Sequence, residues 1–324
     1  MGRGAYEHRY VALNLEELRA PHGDATPAPI PFQFEGAADE GPAHVALYRG
    51  DNLVLARWLL AEDRRFRLIY IDPPFNSGKA YRARIGGEHG GRANDVPAYG
   101  DGQDLDAYLR WLEPRLVCCR DALTEDGTLY VHLDWHAVHY VKVFLDRLFG
   151  RERFLNEIIW CYHGPSPITS AFNRKHDTIL VYTRSRGYYF DADAVRTPYH
   201  PTTVKTFRSS PRAGFGKTPN LQRGKVPEDW WYFPVVARLH GERVGYETQK
   251  PVSLLQRIIA ASSAPGDSVL DLFAGSGTTG VAAAKLGRSA VLCDSNPIAI
   301  EKSLIRLGQL QPRPSVSLWR CGDE

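Results

Sequence analysis

Short apolar runs and helical repeats alternate along the chain between residues 44 and 184. The run at 44–48 is closed by Gly50 and followed by apolar residues at helical spacing over 53–60. The segment FRLIYI at 66–71 is typical of a buried parallel strand, and the prolines after Asp72 prevent the ladder from continuing. We predict further helices over 105–123 and 135–149, and strands over 128–133, 157–161 and 178–182.

Two long stretches without clear periodicity interrupt this alternation. Residues 76–103 are predicted to form a loop, and residues 185–246 an inserted region. Order returns at Pro251, which begins a helix through about residue 261. The rest predicts a strand at 268–272, a helix at 278–286, a strand at 290–293 and a helix at 297–307. Such alternation predicts an α/β fold with a doubly wound, mostly parallel sheet.

The composition of the 324 residues is that of a globular protein, with 43% hydrophobic and 24% charged residues. No run approaches the roughly 18 apolar residues of a membrane helix, so we expect a cytoplasmic protein with no membrane partner. The five cysteines include no CxxC pair and no Cys/His cluster with ligand spacing. We therefore expect reduced thiols and no metal site.

Basic residues are concentrated in one part of the inserted region. The net charge of +3 says little about partners, because a nearly balanced total can hide a basic face. Residues 196–225 contain no Asp or Glu and seven basic residues: Arg196, Lys205, Arg208, Arg212, Lys217, Arg223 and Lys225. This run fits a phosphate-binding stripe and fits a solvated loop equally well.

A glycine turn follows the predicted strand at 268–272. The sequence GSGTTG at 275–280 stands between a strand and a helix, where glycines let a ligand approach the backbone and the helix start offers N–H donors. Asp294 ends the next strand and can accept hydrogen bonds from both hydroxyls of a ribose. These features predict a nucleoside-containing cofactor, and they leave a nicotinamide dinucleotide and S-adenosylmethionine as alternatives.

Two further features favour S-adenosylmethionine over a nicotinamide cofactor. Asp271, just before the glycine turn, suits the cationic amino and sulfonium groups of S-adenosylmethionine better than a pyrophosphate. The segment Asp72-Pro73-Pro74-Phe75 has no obvious place in a dehydrogenase. Its alternative interpretation is a rigid turn after a core strand.

Several motifs in this order resemble the N6-adenine and N4-cytosine DNA methyltransferases. The resemblance is to the permuted (beta) group, in which the base-binding motif precedes the cofactor motif, and also to type III restriction modification subunits. It covers roughly residues 46–307. The motifs are GDN at 50–52, LIYIDPPFNSG at 68–78, YVHLD at 130–134, NEIIW at 156–160, KHDTILVY at 175–182, TQKP at 248–251 and DLFAGSGT at 271–278.

The resemblance implies a catalytic set of Asp72, Pro73, Pro74 and Phe75. An exocyclic amine is a poor nucleophile because its lone pair is delocalised into the ring. The Asp72 carboxylate and the Pro73 carbonyl would accept its two N–H groups, and Phe75 would stack on a base flipped out of the duplex. Methyl transfer is then a direct displacement. Cytosine C5 chemistry needs a cysteine nucleophile, usually after a proline, and the sequence has no Pro-Cys.

The resemblance also implies the residues that bind cofactor and DNA. Asp51 also fits a helix cap, and Lys250 also fits a surface cation. The expected cofactor-binding residues are Asp51, Asn52, Lys250, Pro251, Asp271, Phe273, Ala274, Gly275, Ser276, Gly277, Thr278 and Asp294. The expected DNA-binding residues are Lys79, Arg82, Arg84, Lys205, Arg208, Arg212, Lys217, Arg223 and Lys225.

The resemblance suggests a domain organisation and a set of partners. We expect an irregular arm at 1–42, a catalytic half at 43–184, a target-recognition insertion at 185–246, a cofactor half at 247–310 and a tail at 311–324. Double-stranded DNA is the expected substrate, with adenine N6 favoured over cytosine N4. Candidate partners are a restriction endonuclease and a second copy of the chain. An oxidoreductase and an inactive DNA-binding relic are the competing functions.

Overall fold

The computed structural model describes residues 32–38, 41, 43–76, 79–85, 94–101, 104–210, 219–237 and 240–321. The strands within these ranges are β1 (Phe32–Ala38), β2 (His44–Arg49), β3 (Phe66–Ile71), β4 (Lys79–Ile85), β5 (Asn94–Asp101), β6 (Leu123–Leu133), β7 (Phe154–Cys161), β8 (His176–Thr183), β9 (Trp230–Tyr232), β10 (Ser268–Asp271), β11 (Ser289–Asp294) and β12 (Ser315–Cys321). The α-helices are α1 (Asn52–Ala61), α2 (Leu105–Asp121), α3 (Val138–Phe149), α4 (Pro201–Ser209), α5 (Val252–Ser262), α6 (Thr278–Lys285) and α7 (Pro297–Gly308).

Ten of these strands form one sheet in the order β1-β12-β2-β11-β10-β3-β6-β8-β7-β9. The strands from β12 to β6 are parallel to one another, whereas β1 is antiparallel to β12, and β8 is antiparallel to both β6 and β7. The central strands are apolar along their length because helices cover both faces of the sheet. The predicted doubly wound, mostly parallel α/β fold is confirmed.

The two faces of the sheet carry separate hydrophobic clusters. Side chains from α1, α2 and α3 pack on one face, around fully buried residues such as Leu55 and Leu112. Side chains from α5 and α6 pack on the other face, around Leu255 and Ala282. The sheet therefore lies between two helical layers and is held rigid by both.

The carboxyl ends of the parallel strands meet at one edge of the sheet. Asp72 follows β3, Asp271 ends β10, and Asp294 ends β11, and these three strands are neighbours or next neighbours. Since β7 is antiparallel to β8 and β8 is antiparallel to β6, the β7 end at Cys161 also reaches this edge. Ligands of open α/β sheets bind in the crevice outside such strand ends.

Both ends of the described chain are more regular than predicted. Phe32–Ala38 lies within the predicted irregular arm but forms strand β1, which pairs with β12. Ser315–Cys321 lies within the predicted tail and pairs in parallel with β2. The sequence prediction is wrong for these two segments, because charged residues, glycine and serine interrupt their apolar residues and periodicity was a poor guide.

Two predicted irregular regions also contain regular structure. The loop predicted at 76–103 includes the antiparallel pair β4 and β5. The inserted region contributes helix α4 and strand β9, and β9 extends the main sheet in parallel with β7. Trp231 of β9 is buried in the hydrophobic cluster around Leu255 and Ala282, so it packs against the main sheet and not in a separate core of the insertion. Within the described ranges, none of the helices is both long and apolar enough to span a bilayer.

Candidate active site

One cleft at the carboxyl edge of the sheet brings together most of the predicted catalytic and cofactor residues. Pro251 and Gly277 are predicted cofactor residues that do not line it. The predicted residues that do line it are Asp51, Asn52, Asp72, Pro73, Pro74, Phe75, Lys250, Asp271, Phe273, Ala274, Gly275, Ser276, Thr278 and Asp294. Residues separated by some 200 positions in the sequence therefore share one cavity because parallel strands end together.

Asp72 forms an ion pair with Lys250 in this cleft. The Lys250 Nζ atom lies 2.5 Å from Asp72 Oδ2, and the side chains are 11% and 16% exposed, respectively. Lys250 also lies over the Phe75 ring, 5.1 Å from its centroid. The sequence predicts Lys250 to be a cofactor ligand, whereas in the structure its ammonium group pairs with Asp72, the predicted catalytic carboxylate. The Asp72 Oδ1 atom is buried and has no hydrogen-bond partner among the described residues.

A buried polar network lies behind Asp72. The His132 Nδ1 atom is 3.9 Å from Asp72 Oδ1 and 2.8 Å from the Tyr70 hydroxyl. The other ring nitrogen, Nε2, is 3.2 Å from Asp177, which also accepts a hydrogen bond from Tyr162 at 2.9 Å. His132 is fully buried, so its ring is fixed by these contacts.

The protonation of this network follows from its partners. Burial acts to raise the pKa of Asp177, but the hydrogen bonds and charge supplied by His132, together with Lys250, hold it below its usual value. Burial keeps the pKa of Tyr70 well above its usual value, so its hydroxyl stays protonated. An ionised Asp177 accepts the Nε2 proton of His132, and the Tyr70 hydroxyl forms a hydrogen bond with Nδ1 on the other side of the ring. These contacts fix the orientation of the His132 ring beside Asp72.

The cofactor half of the cleft contains two carboxylates that no described cation pairs with. Burial raises the pKa of Asp271 to about 7, although the Thr279 hydroxyl and the Phe273 N–H donate hydrogen bonds to it. Burial likewise raises the pKa of Asp294 to about 6, against hydrogen bonds from the N–H groups of Gly275 and Asn296. A cationic ligand would offset the cost of ionising these groups.

The glycine turn brings the backbone close to this acidic pair. Gly275 and Gly277 both have positive φ angles, of 51° and 74°, which favour glycine. A side chain at Gly277 would also meet Cβ of Ser303 at 2.8 Å. Arg306 donates to the Ser276 carbonyl and to the Thr278 hydroxyl, at 2.9 and 2.8 Å. These contacts from α7 therefore hold the glycine turn in one conformation.

Some predicted cofactor residues serve the local fold. The Asp51 carboxylate accepts hydrogen bonds from the first N–H groups of α1 and pairs with Arg115 at 3.1 Å. The side chain of Asn52 donates to the Leu272 carbonyl at 2.9 Å and accepts from Arg115 at 2.6 Å. The alternative interpretation of Asp51 as a helix cap is thus confirmed, although both residues also line the cleft. Ala274 donates to the Cys293 carbonyl, and Pro251 immediately precedes α5.

The predicted DNA-binding residues have different surroundings. Lys205 and Arg208 are exposed on helix α4, three residues apart and therefore on one face. Arg223 pairs with Asp193 at 2.7 Å, and Lys225 pairs with Glu228. Lys79, Arg82 and Arg84 belong to β4, and their side chains lie outside the description, as do Arg212 and Lys217 entirely.

Sequence reasoning assigned no role to several residues of the site. His132 and Asp177 lie within quoted motifs, but only the pairing of antiparallel β8 with β6 brings them together. Arg115 comes from the middle of α2, and Tyr246 lines the cleft from the end of the insertion. The available indication for the first pair was a polar residue inside each apolar strand, since such residues need a partner when buried.

Comparisons with known proteins identify the family. The family model described as DNA methylase matches residues 66–304. The type II methyltransferase M.HpaI of Haemophilus parainfluenzae is 31% identical over 247 residues, with 76% of this chain and 69% of that protein covered. The DNA adenine methyltransferase YhdJ of Escherichia coli (strain K12) is 29% identical over 265 residues, with coverages of 81% and 82%. The similarity to type III subunits stays a prediction.

The fold comparison and the chemistry of the cleft agree with this assignment. The crystal structure of the M1.HpyAVI–SAM complex has a TM-score of 0.56 and 18% identity, and the match covers 82% of this chain and all of that one. The buried Asp271 and the glycine turn suit a ligand that combines a nucleoside with positive charge, as S-adenosylmethionine does. Family membership also decides against the oxidoreductase. The chain belongs to the DNA methylase family of N6-adenine and N4-cytosine methyltransferases, and it uses S-adenosylmethionine to methylate DNA.

Proposed function

We propose that the protein methylates the N6 amino group of adenine in double-stranded DNA, with Asp72 and Pro73 as acceptors for that amine. The observation that carries the proposal is the buried Asp72 Oδ1 atom, which lacks a donor among the described residues. Leaving such an acceptor unsatisfied costs about 1–3 kcal/mol. An amine N–H that reaches this atom would remove the cost, so the site favours an amine-bearing base.

The surrounding residues would hold the base and its acceptor in place. Lys250 fixes one oxygen of Asp72 at 2.5 Å, so the other is left for the amine. The Pro73 carbonyl follows directly in the chain and accepts the second N–H. Phe75 supplies a flat ring in the same cleft, on which a base can stack. Two acceptors draw the amine towards tetrahedral geometry, and its lone pair becomes available for attack.

S-adenosylmethionine supplies the methyl group as an electrophilic sulfonium substituent. The Asp271 carboxylate, at the end of β10, would face the positive charge of this cofactor, and Asp294 the ribose. As the N–CH3 bond forms, the S–CH3 bond breaks and the sulfur leaves as a neutral thioether. The Asp72 carboxylate stabilises the positive charge that develops on the amine nitrogen until this nitrogen loses its extra proton. The His132 Nδ1 atom lies 3.9 Å from Asp72 Oδ1, so a buried ring with a fixed orientation packs beside the carboxylate.

The inserted region 185–246 is our candidate for target recognition. Exposed Lys205 and Arg208 share one face of α4, as phosphate contacts would require. The ion pairs of Asp193 with Arg196 and Arg223 link the two ends of the basic run. We therefore assign Arg223 and Lys225 to holding the insertion in shape, and α4 to the DNA backbone.

The preference for adenine over cytosine rests on the Asp form of the base-binding motif and on the relative YhdJ, which is named an adenine methyltransferase. The decisive experiment is modification-sensitive sequencing of DNA from cells that express the wild-type protein or Asp72→Ala. We expect N6-methyladenine at one short motif with the wild-type protein and none with the variant. N4-methylcytosine at the motif would assign the alternative base, and an unmodified genome with the wild-type protein would overturn the proposal.

Two partners remain proposals. The relative M.HpaI is a type II methyltransferase, so we propose that a restriction endonuclease with the same recognition motif accompanies this protein. Cleavage of unmodified but not of methylated plasmid by the encoding cell's extract would test that partner. Analytical ultracentrifugation of the purified protein tests the proposed homodimer.

A further inference from the structure

The loop between β7 and β8, residues 162–175, carries the most exposed aromatic side chain described in the structure. Phe172 is 99% exposed, whereas every other large apolar side chain described is 62% exposed or less. Exposing a whole phenyl ring to water is unfavourable by about 2 kcal/mol relative to burying it. A ring presented in this way indicates a surface that becomes covered on binding.

The loop is held in shape by its own contacts. The side chain of Asn173 accepts a hydrogen bond from the Ile168 N–H at 3.1 Å and donates one to the Ile168 carbonyl at 2.9 Å. Lys175 donates to the Pro165 carbonyl at 2.5 Å. These bonds close the loop just before and after Phe172, so the ring stands on an ordered support. A preorganised support lowers the entropic cost of inserting the ring into a partner.

The base of the loop is joined to the active site. Tyr162, at the start of the loop, bonds to Asp177, which bonds in turn to His132 beside Asp72. Arg174 stacks on Trp135 of the β6–α3 turn, with its guanidinium carbon 4.2 Å from the ring centroid. The loop therefore rises from the same edge of the sheet as the base-binding segment.

The charge of the loop fits a nucleic acid. Residues 162–175 contain Arg174, Lys175 and His163 and no Asp or Glu. Exposed aromatic residues stand beside it, since the His163 ring lies 5.1 Å from that of Tyr232, which is half exposed. An apolar tip on a basic support suits a duplex, where phosphates surround stacked bases.

We propose that Phe172 enters the DNA duplex at the target site and occupies the space that the target base leaves on moving into the cleft. The proposal rests on the proposed function, because it presumes a duplex substrate with an extruded base. Apolar side chains that insert between base pairs offset the unstacking of the duplex, which costs a few kcal/mol. The ring would act on base extrusion and leave cofactor binding and methyl transfer itself unchanged.

The test compares two duplexes that carry the motif found by sequencing. In one, the target base is correctly paired, and in the other it faces a mismatched base, so that extrusion is already partly achieved. With labelled S-adenosylmethionine, we expect Phe172→Ala to lower single-turnover methylation of the paired duplex by about tenfold or more. On the mismatched duplex the variant should stay within about twofold of wild type, because less unstacking remains to be offset.

Matched variants separate this role from a general loss of structure. Phe34 is 56% exposed on β1, at the opposite end of the sheet, and Phe34→Ala should methylate both duplexes normally. Phe172→Leu keeps an apolar tip and should recover most of the rate. An unchanged rate of Phe172→Ala on the paired duplex, or an equal loss on both duplexes, would overturn the proposal. Failure of the wild-type protein on both duplexes would instead overturn the proposed function.

Discussion

The two halves of the cleft treat their carboxylates differently. In the half of the cleft predicted to bind the base, formed by residues 72–75, Asp72 has a lysine from its own chain at 2.5 Å. In the cofactor half, Asp271 and Asp294 have hydrogen-bond donors but form no ion pair with any described cation, and burial raises the pKa of each. The three acids end neighbouring or next-neighbouring strands of one sheet, so the difference lies in what surrounds them.

The chemistry of the two ligands accounts for this difference. S-adenosylmethionine carries its own positive charge, so it can compensate a carboxylate that the protein leaves unpaired. The amine of a base is neutral in the ground state and cannot do so. In the proposed complex, Lys250 therefore balances the charge of Asp72 before any positive charge develops on the amine. The protein thus supplies a cation beside the carboxylate whose proposed ligand is neutral and, among the described residues, none paired with the carboxylates whose ligand is itself cationic.

The largest expected effect comes from removing the acid of the base-binding half. Asp72→Asn keeps the shape of the side chain but removes its charge and one acceptor. We expect the single-turnover methylation rate to fall by at least about 100-fold, the usual effect of losing a group that stabilises transition-state charge. Titration calorimetry should show cofactor affinity within about twofold of wild type. Equal losses in both quantities would contradict the division of the cleft.

The acid of the cofactor half should show the opposite behaviour. Asp271→Asn removes the buried negative charge, and we expect the dissociation constant of S-adenosylmethionine to rise by about tenfold to a hundredfold. Saturating cofactor should restore most of the methylation rate. Asp126→Asn is the matched control, since Asp126 pairs with Arg67 away from the cleft. If saturation failed to restore the rate, Asp271 would belong to the reacting half as well.

The pH dependence of cofactor binding provides a third way to separate the halves. Because Asp271 has a pKa of about 7 and Asp294 one of about 6, both carboxylates ionise as the pH rises through this range. Affinity for the cationic cofactor should therefore increase by about tenfold between roughly pH 5.5 and pH 7.5. S-adenosylhomocysteine lacks the sulfonium charge and should show a smaller increase. Calorimetry at several pH values measures both, and equal slopes would assign the change to another group.

The sequence predicted the strand ends correctly because parallel strands place their chemistry at one edge. Asp72 and Asp271 each follow an apolar run, and that local pattern was enough to bring them to one cleft. The ion pair between Lys250 and Asp72 was missed, because 178 residues separate the two and Lys250 precedes α5 in an irregular segment. No periodic signal reports such a contact.

The polar network behind Asp72 was missed for a different reason. His132 and Asp177 lie on adjacent antiparallel strands, and their register depends on which strands pair across the sheet. At the β6–β8–β7 end of the sheet, β8 runs antiparallel to both neighbours, which the alternation of strands and helices did not predict. Local patterns identify elements, whereas contacts between distant elements depend on topology.

The smallest effect on the methylation rate is expected for substitutions of Lys250. They distinguish Lys250 as a cofactor ligand, which the sequence predicts, from Lys250 as the partner of Asp72, which the structure shows. Lys250→Met removes a contact that orients Asp72 but leaves the carboxylate in place, so we expect the methylation rate to fall by about fivefold, which corresponds to about 1 kcal/mol of the barrier. Lys250→Arg keeps the charge and should retain most of the rate. Cofactor affinity should change by less than about twofold in both variants, because the ammonium group faces the carboxylate of the base-binding half. If Lys250 were instead a cofactor ligand, both quantities would change differently. Calorimetry would show weaker binding of S-adenosylmethionine, and the methylation rate would recover at saturating S-adenosylmethionine.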